Sequence, residues 1–153
     1  MNTDEIEKLI KGTGAQCLAS DQLPREPIKN KIYVVNTDSI KKEGLHWVVI
    51  AKLGSLMIYG DPLGLPPLIR PFVSFINLNM IDGDSLKFNR YPFQEKTSSN
   101  CGRFSILLVW HLHQGLKFED FCERYGACAE QNELLLAKDF SRFIEWHKKR
   151  EKN

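Results

Sequence analysis

The chain has 153 residues, of which 42% are hydrophobic and 26% charged, and its formal net charge is +2. That length fits one domain over residues 1–153, and so small a charge gives no general electrostatic case for a nucleic-acid partner. The local basic run His147-Lys148-Lys149-Arg150 suits the solvated C-terminus of a helix.

The acids and lysines of residues 1–12 exclude the apolar core of a signal peptide, and Ile6, Leu9 and Ile10 recur there at helical spacing. Residues 20–31, with Pro24 and Pro27 among polar neighbours, read as loop. Three strand-like runs follow, 32–36, 46–52 and 56–59, rich in Val, Ile, Trp and Tyr. Lys52-Leu53-Gly54-Ser55 between the last two predicts an antiparallel hairpin. Asp61-Pro62-Leu63-Gly64 breaks the sheet, and Pro66-Pro67 predicts the first turn of a helix running to about residue 79. A turn at Asp82-Gly83-Asp84 and a strand over 85–91 come next. A strongly apolar helix is expected from Cys101 to about Gln114, closed by Gly115, followed by helices over 118–125 and 131–149. The longest apolar run, 104–110, is too short to cross a bilayer, so a protein working inside a cell is expected. There Cys17, Cys101, Cys122 and Cys128 should be reduced thiols. The layout is α+β: a small mixed sheet packed against a central buried helix that carries a cysteine at its N-terminus, with flanking helices.

Cys101 is where chemistry concentrates. It follows Thr97-Ser98-Ser99-Asn100, residue types that cap helices, and opens the apolar helix. The unpaired N–H groups and the dipole of a helix start favour thiolate, and a helix running through the core holds the sulfur rigidly. Gly102 removes a side chain beside the sulfur, leaving room for a substrate backbone. On local sequence alone, a buried structural cysteine is an equal reading.

Two further residues shift that balance. His46 begins one strand of the hairpin and Asp61 follows the end of the other, so antiparallel pairing brings them to one rim. The carboxylate can then take one ring nitrogen and leave the other for the thiol. Gln94, seven residues before Cys101, carries an amide able to donate to a developing oxyanion together with the Cys101 N–H. Trp47 reads equally as a wall of the cleft or as core.

Gly44-Leu45-His46-Trp47, then Tyr59-Gly60-Asp61-Pro62-Leu63-Gly64, then Gln94 and Ser99-Asn100-Cys101-Gly102-Arg103-Phe104 together resemble the adenovirus-type cysteine endopeptidases. More distantly they resemble the proteases that process ubiquitin-like proteins. The resemblance covers residues 4–116. It implies Cys101 as nucleophile, His46 as base, Asp61 as the third member of the triad and Gln94 in the oxyanion hole. It also implies a papain-related fold with reordered chain, cleavage after small residues such as glycine, and a nuclear or virion setting in a viral system. The adenoviral enzyme has Glu where this chain has Asp61, and a viral peptide tethered by a disulfide activates it. No cysteine lies between Cys17 and Cys101, so that tether cannot form here, and a peptide or DNA activator is left open.

Other readings follow from the same residues. His111, His113, Cys122 and Cys128 share one third of the chain, but His-x-His on a helix splays its rings apart and there is no Cys-x-x-Cys, so no metal is expected. Cys17, Cys122 and Cys128, with Phe118, Phe121, Phe140 and Phe143, are expected to pack in the core. The partners expected are protein substrates, with no membrane and a monomeric enzyme. The alternatives are a protease that deconjugates ubiquitin-like proteins, and a silent protease-like domain that only binds.

Overall fold

The computed structural model describes residues 1–40, 46–126 and 128–153. Five strands form a single mixed sheet in the order β1-β2-β3-β4-β5: β1 (Gln16–Ala19), β2 (Lys31–Asn36), β3 (Trp47–Leu53), β4 (Leu56–Gly60) and β5 (Ser85–Phe88). The middle three pair antiparallel, and the two outer strands join them in parallel. The hairpin of β3 and β4 is the one expected, with Val49 opposite Gly60 and Leu53 opposite Leu56.

Side chains of a strand alternate between its faces, and here both faces are covered. Ile32, Val34, Trp47, Val49, Ala51 and Ile58 face one core, shared with α1 (Thr3–Ile10), α3 (Cys101–His113), α4 (Phe118–Arg124) and α5 (Ala129–Glu151). Tyr33, Val35, Val48, Ile50, Met57 and Tyr59 face the other, under Phe72, Phe75 and Ile76 of α2 (Arg70–Asn79). Two-sided burial explains why these strands read as continuous apolar runs. The architecture is α+β, with helix α3 buried along the sheet. Gly60 permits the close passage of α3, because a Cβ there would lie 2.4 Å from Leu108 Cδ2.

Several boundaries differ from expectation. Helix α2 starts at Arg70, not at Pro66. A start at residue 66 would have put Pro71 in the helix interior, without an N–H and against the carbonyl four residues back. Starting at Arg70 places Pro71 in the first turn, where neither fault matters. The strand expected over 85–91 ends at Phe88, because Asn89 leaves the ladder to bond the loop after β4. Strand β1 lies in a stretch to which the sequence assigns no element, and the short 3-10 turn Ser20–Gln22 opens the stretch expected to be loop. Cys128 does not pack in the core. It is exposed, and its sulfur caps α5 by accepting from Gln131 N–H at 3.4 Å.

Candidate active site

His46 immediately precedes β3, its carbonyl taking the Thr37 N–H at 2.9 Å, and Asp61 immediately follows β4. The hairpin brings them together on one rim: His46 Nε2 lies 2.5 Å from Asp61 Oδ1. The two side chains are 13% and 4% exposed, so the pair is shielded from water. Asp61 Oδ1 also accepts the Leu63 N–H at 2.8 Å, an Asx turn that stops the carboxylate from rotating. Gly44 and Leu45, which precede His46 in the sequence motif, lie outside the described residues.

Cys101 is the first residue of α3 and lies close enough to His46 for thiol and imidazole to shift one another. With Nε2 on Asp61, the ring nitrogen left for the thiol is Nδ1. Burial pulls the imidazole's proton affinity down, but the hydrogen bond and charge of Asp61, together with Cys101, lift it to about 9. Burial likewise pushes the Cys101 thiol up. The His46 side chain and the backbone N–H groups of Trp47 and Gly102 outweigh that and hold it below its ordinary value. The other half-buried thiols move the opposite way. Burial, aided by Glu7, drives Cys17 to about 12, and burial alone drives Cys122 to about 11. Of these thiols only Cys101 is lowered, and it is the one beside a histidine that is raised.

The capping expected from Asn100 is not made by its side chain. Its Nδ2 instead donates to Glu133 Oε2 at 2.7 Å, and Glu133 Oε1 accepts the Glu95 N–H at 3.3 Å. One carboxylate of α5 thus holds both ends of the loop leading to Cys101.

Gln94 is 3% exposed. Its backbone N–H joins that of Phe93 on the Pro62 carbonyl, at 3.1 and 2.8 Å, which binds this loop to the one carrying Asp61. Gln94 Nε2 donates to the Ser98 carbonyl at 3.1 Å, while Oε1 has no partner among the described residues. An amide held by one of its two N–H groups, with its oxygen unsatisfied, is an expensive arrangement in a buried loop and calls for a reason. Gly64 is equally constrained. It has φ +70°, and a Cβ there would lie 2.6 Å from Pro92 N and 2.7 Å from the Tyr91 carbonyl carbon.

No protein-family model and no curated protein matches this sequence. Among solved structures it is similar to the central domain of the uncharacterized Lpg1148 protein from Legionella pneumophila. The TM-score is 0.50 at 11% identity, over 95% of this chain and 98% of that one. A likeness at that identity speaks for the fold alone.

The remaining sequence-singled residues lie as follows. Trp47 is 4% exposed and packs in the core beneath α3; its indole N–H donates to the Met1 carbonyl at 3.0 Å. Gly102 is buried, and a Cβ there would meet the Met1 side chain at 3.1 Å, so the space beside it is taken by Met1. His111 Nε2–H donates to the Lys117 carbonyl at 2.6 Å, and His113 packs edge-on to Trp146. Among the described residues, no group of three or more His, Cys, Asp or Glu side chains is placed to hold a metal ion. No helix among them is long and apolar enough to cross a membrane. Asn89 and Glu133 escaped sequence reasoning. Only a signal of long-range pairing could have found them, since their partners lie 28 and 33 to 38 residues away.

Proposed function

We propose that this protein is a cysteine endopeptidase, with Cys101 as nucleophile, His46 as its acid–base partner and Asp61 as the residue that orients and charges His46. The reading rests on one observation: His46 is shared between Asp61 and Cys101, its proton affinity raised and that of the thiol lowered. The Cys101 thiolate attacks a peptide carbonyl carbon, forming the C–S bond while the carbonyl π electrons move to oxygen. As the tetrahedral adduct collapses, the C–N bond breaks and the leaving nitrogen takes the proton from His46. Neutral His46 then removes a proton from water, hydroxide attacks the thioester, and Cys101 leaves as thiolate. The acid product is released with the ion pair restored.

Gln94 supplies the oxyanion hole in this scheme. Its Nε2 is anchored on Ser98 by one hydrogen, leaving the other for the developing oxygen anion beside the Cys101 N–H. That role gives a use to the second N–H of a buried amide whose first is spent on Ser98. The resemblance of the sequence to adenovirus-type endopeptidases supports a substrate with a small residue such as glycine before the scissile bond. It also supports a precursor of a virus or virus-like element as the target, cleaved in the nucleus or the particle. The test is turnover of quenched fluorescent peptides with Gly-Gly and Gly-Ala junctions by wild type, Cys101→Ala and His46→Ala. Cleavage by the wild type alone is expected; equal cleavage by Cys101→Ala would remove the proposed nucleophile.

A further inference from the structure

Asn89 is 4% exposed and spends its whole side chain on the backbone around Asp61. Its Oδ1 accepts the Asp61 N–H at 2.9 Å, while Nδ2 donates to the Asp61 carbonyl at 2.6 Å and to the Tyr91 carbonyl at 2.9 Å. Both backbone groups of one residue are thus held by a single carboxamide from a neighbouring segment. Asp61 needs such an anchor. It lies just past the end of β4, where ladder bonding stops, and β5 leaves the sheet at the same level. Without Asn89 the Asp61 N–H would be buried and unpaired, and the Asp61 carbonyl would keep only the Gly64 N–H at 2.8 Å, so the chain would twist to find a partner. The carboxylate rides on that backbone, and its contact with His46 is short and directional.

We infer that Asn89 is a positioning residue for the active site. It fixes the main chain of Asp61 so that the carboxylate stays on His46 Nε2, and it acts on Cys101 only through that carboxylate. The two donors of Nδ2 add a second effect. They tie the Asp61 loop to Tyr91, in the segment that goes on to Gln94, so the acid and the oxyanion donor keep a fixed relation. The inference rests on the endopeptidase reading, since positioning matters only if the His46–Cys101 pair works.

The experiment is a four-member cycle: wild type, Asn89→Ala, Asp61→Ala and the double variant. For each, the rate of Cys101 alkylation by iodoacetamide is followed against pH, and peptide turnover is measured as kcat and KM. His46→Ala is run beside them, and thermal unfolding establishes that each chain folds. Displacing a reacting group by about 1 Å costs on the order of 10²-fold, so Asn89→Ala is expected to lose about that in kcat with KM little changed. Its alkylation profile should shift toward that of an ordinary thiol. In the Asp61→Ala background, removing Asn89 should cost nothing further. If Asn89→Ala does not fold, Asn89→Ser, which keeps a short donor and acceptor, takes its place in the cycle.

An unchanged alkylation profile in the folded Asn89 variant would overturn the inference, as would an Asn89 loss that adds in full to that of Asp61→Ala. A wild type whose Cys101 alkylates as an ordinary thiol, unaffected by His46→Ala, would instead overturn the endopeptidase reading itself. That result is read without any Asn89 variant, so the two failures stay distinct.

Discussion

Asp61→Asn separates charge from position in the proposed triad. Both groups that approach Asp61 Oδ1, the His46 Nε2–H and the Leu63 N–H, are donors. The asparagine must therefore keep its oxygen there and turn its nitrogen to the far side. Asn89 bonds only the backbone of residue 61, so the anchor survives. What disappears is one negative charge. The rise of His46 from 6.5 to about 9 corresponds to about 3 kcal/mol of preference for the imidazolium, which Asp61 shares with Cys101 against the cost of burial. A charge-assisted hydrogen bond is about twice as strong as a neutral one, so the variant should forfeit about half of that preference or more. His46 should then titrate at least one pH unit lower, a fall of about 1.4 kcal/mol or more in its preference for the imidazolium, and the alkaline decline of cleavage should move down in pH with it. The assay is NMR titration of the histidine ring C–H signals, with the His46 resonance identified by its disappearance in His46→Ala. A His46 midpoint that stays near 9 in Asp61→Asn would refute the reasoning, because the rise would then owe nothing to the carboxylate.

Gln94→Ala should lower kcat by about 10²–10³, yet leave the alkylation of Cys101 by a small reagent almost unchanged. Removing the hydrogen bond from Nε2 to the Ser98 carbonyl should cost about 1 kcal/mol, seen as a modest fall in the melting temperature. Gly64→Ala forces an L residue to φ +70° and drives its Cβ into the backbone of Tyr91 and Pro92. It should cost about 1–2 kcal/mol from the left-handed conformation, plus the displacement of two loops. Both the melting temperature and turnover should fall, whereas retention of both would show that the two loops need not touch. The pH dependence should separate the two chemistries. Attack needs the thiolate, so both cleavage and alkylation decline as pH falls through the lowered Cys101 value. Expulsion of the amine needs protonated His46, so cleavage alone should also decline as pH rises through about 9, while alkylation stays high.

Much of the fold was legible because burial writes itself into local pattern. Ile32 to Asn36 and Trp47 to Lys52 carry apolar residues on both faces, as a sheet covered on both sides requires. The turn at Gly54 set the hairpin, and the hairpin alone brought His46 to Asp61. Helix α3 announced itself by its apolar surface, with Phe104, Ile106, Leu107, Leu108 and Val109 all buried. Strand β1 did not, because Gln16-Cys17-Leu18-Ala19 is four residues long and gains its identity from a parallel partner remote in sequence.

The same distinction holds at the site. The types His, Asp, Gln and Cys are visible as chemistry, but what holds them is a set of bonds between segments far apart in the chain. Asn100 looked like a helix cap, yet its side chain satisfies Glu133 of α5. Asn89 fell inside an expected strand, yet it anchors the residue that turns His46. Gly102 looked like an opening for substrate, and Met1 packs against it. Each depends on which segment arrives from elsewhere, and no spacing of residues encodes that arrival.

The central claim is that a single thiol, activated by His46, attacks a peptide carbonyl. Its most direct test is intact-mass and peptide-mapping analysis of the chain after treatment near neutral pH with a peptide vinyl ester ending in Gly-Gly. The account predicts one adduct per chain, on Cys101, lost in Cys101→Ala and strongly slowed in His46→Ala. Cys17, Cys122 and Cys128 should remain unlabelled. An adduct that survives Cys101→Ala, or one that forms on Cys101 at the same rate without His46, would contradict it.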